Sequence, residues 1–211
     1  MQPDAVSADT ALTFAQVSAG DEHTCGVTPT SVAYCWGYNN WGQVGDGSTV
    51  KRLLPVRVLG GLAFRQVSAG FQHTCGVTTS NVAYCWGLLL GSGTFSSRPV
   101  RVGGGLAFRS VSAGAQHNCG VTTTNVAYCW GNNFGGGLGD GTTTPRTLPV
   151  RVLGGLAFAQ VNAGFQHTCG LTTSNVAYCW GSNLVGELGR GTITGPETCS
   201  RPDRDIPCST R

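Results

Sequence analysis

Four copies of one phrase govern what this chain can fold into. "HTCGVTPTSVAYCWG" begins at His23 and returns with few changes at His73, His117 and His167. An upstream marker, "FAQVSAG" at Phe14, recurs in close form at Phe64, Phe108 and Phe158, at intervals of 50, 44 and 50 residues. A period of about 40–50 residues made of several short strands is the signature of a propeller or a stacked array. The expected division is a lead-in over 1–13, units over 14–63, 64–107, 108–157 and 158–211, and an extra cysteine loop over 195–211, all within one propeller domain. The second unit is short because "WGLLLGSGTFSSRPV" replaces the longer glycine-rich loops of the first and third. By analogy with "SRPV" at Ser97–Val100, the chain stops at Arg211 one residue before an expected Pro-Val strand, so the fourth unit reads as cut mid-repeat.

Composition agrees with an all-β reading. Of 211 residues, 33 are glycine and only 11% are charged, against a usual charged share of about 25%. Hydrophobics at 40% supply enough apolar surface to offset ordering entropy, which excludes a disordered chain. The net charge of +3 comes without any run of like charge, so neither a nucleic-acid partner nor a polybasic membrane anchor is expected. No apolar stretch approaches the roughly 20 residues that span a bilayer. Ten cysteines indicate an oxidising compartment, extracellular or periplasmic, although Met1–Val17 lacks the pattern of a signal peptide.

The hairpin inside each unit follows from its turn. In "TTSNV", Thr78–Val82, Asn81 suits the left-handed position of a three-residue loop. Pairing Thr78 with Val82 then sets Cys75 opposite Cys85. The same count pairs Cys25 with Cys35, Cys119 with Cys129 and Cys169 with Cys179. Directly opposed residues lie roughly 4.5–5.5 Å apart at Cα, within disulfide reach. Cys199 and Cys208 are left for a fifth disulfide. The other face of the hairpin carries Val32, Tyr34 and Trp36, a bulky stripe suited to a neighbouring sheet. "PVRV" at Pro55–Val58 predicts an outer strand with its arginine exposed, and Arg101 and Arg151 repeat the placement.

The phrases "VSAGxxHTCGVT", "VAYCWGxN" and "GxLGDGT" together resemble the repeat of the regulator of chromosome condensation family, and the cysteine pairs resemble its bacterial, exported members. That resemblance covers nearly the whole chain from Phe14 and implies an all-β propeller of four-stranded blades, about four of them here, as part of an incomplete seven-bladed ring. It also implies two activities seen in relatives: guanine-nucleotide exchange, and inhibition of a β-lactamase through loops on one face. No residue of these copies maps to exchange alone.

Candidate reactive residues have plainer roles. His23, His73, His117 and His167 stand two residues before a cysteine, and zinc would need a fourth ligand that does not recur. They are expected to be structural, with no metal and no cofactor. Asp46 and Asp140 in "GDG" loops read as turn formers, since the fourth unit has Arg190 at that place and the second lacks it. The glycine loops lack a phosphate-binding lysine, and no nucleophile and base can be paired. The chain is therefore expected not to be an enzyme.

Variation concentrates in two loops of each unit. Asp21-Glu22, Phe71-Gln72, Ala115-Gln116 and Phe165-Gln166 precede the histidines, and segments holding Tyr38, Trp41, Leu89, Phe134 and Leu184 follow Trp-Gly. A repeat scaffold varies its loops where it touches partners. Tyr38, Trp41, Phe71, Leu89, Phe134, Phe165 and Leu184 are therefore candidate contacts for a protein partner; packing between blades is the alternative reading. A structural or cell-surface repeat without a dedicated partner is the rival function, and self-association through open propeller ends is a further expectation.

Overall fold

The computed structural model describes residues 12–193. Cys199, Cys208 and the loop over 195–211 lie outside the described residues, as does most of the lead-in. Among the described residues, fifteen strands form four antiparallel sheets, each with its strands in sequence order. The first holds β1 (Gln16–Ala19), β2 (His23–Val27), β3 (Ala33–Gly37) and β4 (Arg52–Arg57). The second holds β5 (Phe64–Ala69), β6 (His73–Thr78), β7 (Ala83–Leu89) and β8 (Thr94–Arg101). The third holds β9 (Phe108–Ala113), β10 (His117–Thr122), β11 (Ala127–Gly131) and β12 (Arg146–Arg151). The fourth holds β13 (Phe158–Ala163), β14 (His167–Thr172) and β15 (Ala177–Gly181) among the described residues. These are the blades of an open, incomplete propeller.

The hairpin turn sets the register. Thr78 N–H donates to the Val82 carbonyl at 2.9 Å, and Asn81 takes a φ of 65°. Asn125 and Asn175 do the same, and Ser31 fills the place in the first blade. Counting back from that hydrogen-bonded pair, the cysteines fall on a non-hydrogen-bonded pair, where strands approach most closely. Cys25–Cys35, Cys75–Cys85, Cys119–Cys129 and Cys169–Cys179 are bonded, with Cα atoms 4.0 to 4.1 Å apart. That is closer than the separation expected from sequence, as the narrow pair and the bridge together require.

Alternation along the strands gives each blade two unlike faces. One carries the disulfide with Gln16, Ser18, His23, Val27 and Ala33 or their equivalents. The other carries Phe14, Val17, Ala19, Tyr34 and Trp36 or their equivalents, consistent with the cross-strand pairs of β1, β2 and β3. The disulfide face of each blade packs on the aromatic face of the next. One core cluster joins Cys25, Val27 and Cys35 to Phe64, Val67 and Trp86. A second joins Cys75, Val77 and Cys85 to Phe108, Val111 and Trp130. A third joins Cys119, Val121 and Cys129 to Phe158, Val161 and Trp180. Burying a side chain of this kind contributes about 1.5–3 kcal/mol. Within a blade, Phe64 lies 5.7 Å from Trp86 between ring centroids, directly over Gly76, where a Cβ would come within 2.8 Å of the phenyl ring. Glycine stands there because the ring occupies the space.

Polar side chains lock the same joints near the inner edge. Gln16 behaves as a short piece of strand: its Nε2 donates to the Val67 carbonyl at 2.9 Å and its Oε1 accepts from Val67 N–H at 3.0 Å. Gln66 grips Val111 in the same way, at 2.8 and 3.1 Å. Ser18, Ser68 and Ser112 each accept from an alanine N–H of the next blade at 3.0 Å. At the turn into the second strand, blades meet backbone to backbone. A Cβ on Gly70 would stand 2.5 Å from the carbonyl oxygen of Gly114. The outermost strands β4, β8 and β12 expose Arg57, Arg101 and Arg151, as their sequence predicts.

Candidate functional site

Up-and-down connection brings both varied loops of every blade to one end of the sheets. The turn from the first to the second strand and the loop from the third to the fourth lie side by side, tied by backbone hydrogen bonds. Tyr38 N–H donates to the Glu22 carbonyl at 2.8 Å, Leu88 to Gln72 at 2.9 Å, Asn132 to Gln116 at 2.8 Å and Ser182 to Gln166 at 3.1 Å. The positions that differ between repeats thus form one face.

Buried asparagines hold the longer loops in shape. Asn39 Oδ1 accepts from Val44 N–H at 2.9 Å, while its Nδ2 donates to the carbonyls of Ser48 and Val50 at 3.1 and 3.0 Å. Asn133 makes the same set with Leu138, Thr142 and Thr144, and Asn183 reaches Leu188 and Thr192. The aspartates of the "GDG" turns close the loop base. Asp140 Oδ1 accepts from Thr142 N–H and Oγ1 at 3.0 and 2.7 Å, and Arg146 Nε donates to Oδ2 at 2.9 Å. Asp46, Ser48 and Arg52 repeat this in the first blade. Burial alone would raise both carboxyl pKa values, but these hydrogen bonds and the arginine charge outweigh it and hold both below the ordinary range. Both acids act as turn formers.

Leu89 stands where the first and third blades place Asn39 and Asn133. With no amide to pin an excursion, the second blade runs on as an extended hairpin, pairing Leu88 with Phe95 and Leu89 with Thr94. Leu89 is consequently half-buried in a strand. Trp41 leans out of the first blade onto that hairpin, 6.4 Å from Phe95 between ring centroids, and Tyr38 is half-buried. Phe71, Phe134, Phe165 and Leu184 are exposed. Phe134 and Phe165 line one shallow cleft between the third and fourth blades, together with Gln116 and Gln166. The seven candidate contacts therefore divide into three that pack partly into the frame and four that present apolar surface to solvent.

The histidines lie beneath this face. His23 Nε2 meets Thr74 Oγ1 of the next blade at 2.7 Å, and Thr74 donates its hydroxyl proton to the Gln43 carbonyl at 2.8 Å. The proton between ring and hydroxyl must then come from Nε2. His117 and Thr168 repeat the relay onto Gly137, and His73 Nε2 donates to Asn118 Oδ1 at 2.6 Å. The Nδ1 atoms of His23 and His73 are buried without a partner, so a charged ring would strand an N–H there. Burial first, then the charge of His73, lowers the His23 pKa to about 4. Burial lowers His73 to about 4 against the opposing bond to Asn118, and lowers His117 to about 3 with help from His167 and His73. These histidines bridge successive blades as neutral rings.

Several residues that join one blade to the next escape a reading of the sequence. The inter-blade Gln and Ser bonds, and Arg65 and Arg109, which reach the carbonyls of Arg109 and Ala159 on the next blade at 2.6 and 2.7 Å, carry no local signature. The asparagine pins are signalled by "WGxN", which recurs in three of the four units.

With the geometry in place, the class of protein is clear: a chain of stacked, disulfide-bridged propeller blades. The regulator of chromosome condensation (RCC1) repeat matches residues 32–77 and 126–171, and a second form of the same repeat matches 14–43, 108–136 and 158–187. Between them these matches span more than half of the chain, which belongs to the regulator of chromosome condensation repeat family. Human WBSCR16 is similar in structure, with a TM-score of 0.80 and 22% identity over 93% of this chain and 55% of that one. Yeast RCC1 (Prp20), in its structure bound to Kap60, gives 0.77 and 21% over 96% of this chain and 49% of that one. The ectodomain of the Physcomitrella patens receptor kinase CR4 gives 0.55 and 26%, over 83% and 41% respectively. The chain spans about half the length of these structural relatives.

Proposed function

We propose that the chain is a non-enzymatic protein-interaction scaffold, exposed to an oxidising extracellular or periplasmic space, that binds a protein partner through its loop face. One observation carries this reading: every position at which the repeats differ most is gathered on one end of a frame cross-linked blade by blade, and four of those positions expose Phe71, Phe134, Phe165 and Leu184. Rigid display suits binding because little side-chain or loop freedom remains to be lost, and aromatic anchors supply area at low entropic cost. The yeast relative bound to Kap60 supports a protein partner. The disulfides are compatible with an oxidising space, and the likeness to a receptor ectodomain supports it.

The test compares three immobilised proteins: the chain itself, a loop-face variant with Phe71, Phe134, Phe165 and Leu184 changed to serine, and an opposite-end control with Thr79→Lys and Thr123→Lys. A partner confirmed with purified components should bind the first and third and lose at least tenfold affinity for the second. Equal affinity for all three contradicts loop-face binding. Stimulated nucleotide release from a small GTPase would favour the exchange reading instead.

A further inference from the structure

Two of the three joints between blades are closed at the inner edge by a glutamine, and the third is not. Gln16 and Gln66 each lay a carboxamide on the backbone of a valine in the next inner strand, taking its N–H and its carbonyl together. In the third joint Ser110 stands at the place of the glutamine and Val161 at that of the valine. The backbone there faces the same way. Ala163 N–H, two residues on, donates to Ser112 across the joint at 3.0 Å, and alternate residues of a strand aim their polar groups to one side. Val161 also pairs with Gly170 as Val67 pairs with Gly76. A serine hydroxyl extends one atom past Cβ and falls short, so no side chain bonds the Val161 backbone among the described residues.

At this joint lies a hollow of about 330 Å³, at the lower end of the range for small-molecule sites, about 300–1,000 Å³. Ser110, Ser112 and Val161 line it, and Arg109, Gln160 and Asn162 around them are exposed. Its walls belong to β5, β9 and β13, strands that the chain itself packs together, so the site is independent of what precedes or follows them. None of the seven candidate loop contacts takes part. Arg109 would draw an anion, but its guanidinium is committed to Asn125 Oδ1 at 2.8 Å and to the carbonyls of Phe158 and Ala159 at 3.2 and 2.7 Å. What the hollow offers is an N–H and a carbonyl side by side, and a ligand that satisfies both recovers the cost of leaving them unpaired.

We propose that this notch binds a primary carboxamide, of a small amide or of a glutamine side chain on a peptide, in the place that Gln16 and Gln66 fill in the other two joints. The amide nitrogen donates to the Val161 carbonyl and the amide oxygen accepts from Val161 N–H. The chain makes that arrangement twice with its own side chains, at 2.8 to 3.1 Å. A carboxylate of the same shape has no proton for the carbonyl and sets two acceptors against each other. The site therefore reads the neutral amide against the acid, the discrimination that a pair of fixed polar groups performs best.

Amide-resolved NMR of the isotope-labelled 211-residue chain tests this by titration with propionamide, with N-acetylglutamine N-methylamide and with N-acetylglutamate N-methylamide as the acid control. Both amides should shift the Val161 N–H resonance to saturation, and the acid should bind about tenfold more weakly or worse. A blocked glutamine that binds about fivefold tighter than propionamide, or better, assigns the site to a peptide, and a smaller difference assigns it to small amides. Ser110→Gln supplies the chain's own carboxamide and should abolish the response of Val161 to both amides. A Val161 resonance unmoved in the parent chain overturns the proposal. So does an equal response to the acid, or a folded Ser110→Gln protein that still binds. If that variant fails to fold, its spectrum shows it, and the parent titration against the acid decides alone.

Discussion

At the residue scale the buried histidines tie stability to pH. His23 and His73 titrate near 4 in the folded chain and His117 near 3, against 6.5 when unfolded. Between those values the unfolded chain binds protons that the folded chain does not, so stability is fully present above about pH 6.5 and falls as pH drops toward 4. The carboxyls of Asp46 and Asp140 act in a lower window, below their unfolded value of 3.8. His73→Gln keeps an amide donor for Asn118 but cannot take a proton. Its midpoint in urea should therefore depend less on pH between 6.5 and 4, by up to about 3 kcal/mol over the window. An unchanged pH slope contradicts the assignment. Asn133 makes a second residue-level case. Asn133→Ala leaves Leu138 N–H and the carbonyls of Thr142 and Thr144 unpaired in a buried loop base, and should cost about 2 kcal/mol of unfolding free energy. A loss below about 0.5 kcal/mol, the range of ordinary surface changes, would show that the loop holds without its pin.

At the element scale the hairpin was legible in the sequence and the joint between hairpins was not. Ten-residue cysteine spacing and a turn asparagine are local, and they determine the cross-strand register without knowledge of the rest. Gln16 and Ser18 enter the sequence reading only as part of the recurring marker "FAQVSAG". Their use as grips on Val67 and Ala69 depends on a strand 51 residues away, which no single-unit pattern reveals. Leu89 shows the same limit: a lone leucine in a loop reads as an exposed contact until the missing asparagine is seen to turn that loop into a hairpin. Two substitutions measure the joint. Gly70→Ala forces a methyl group against the Gly114 carbonyl and should cost 2 kcal/mol or more, roughly the scale of core overpacking; a neutral effect in denaturant titration would mean the blades have room to part. Replacing Cys119 and Cys129 by alanine removes a cross-link of short loop, about 2–3 kcal/mol by chain entropy, and also the packing of two fully buried sulfurs. A loss under 1 kcal/mol would contradict the role given to the staple.

At the scale of the whole molecule, covalent staples fix the two middle strands of each blade, unlike faces interlock successive blades, and the varied loops are carried to one end. The repeat period narrowed the fold class to a propeller or a stacked array, and the resemblance to the family repeat pointed to the propeller. The division of the candidate contacts was not legible, because whether Trp41 or Phe134 faces solvent depends on what the neighbouring blade offers it. If the frame is independent of its display, changing Phe71, Phe134, Phe165 and Leu184 to serine should leave the melting temperature within a few degrees of the parent, as exposed positions do.

The central claim, that the recurring cysteines rivet each blade and serve nothing else, meets its most direct test in a non-reduced tryptic map. No lysine or arginine separates the members of any pair, so Cys25 with Cys35, Cys75 with Cys85, Cys119 with Cys129 and Cys169 with Cys179 each fall in a single peptide. Each of the four peptides should be lighter by two hydrogens than its reduced form and untouched by an alkylating reagent added under denaturing conditions before reduction. Labelled thiols in these peptides, or bridges linking one repeat to another, would contradict the account.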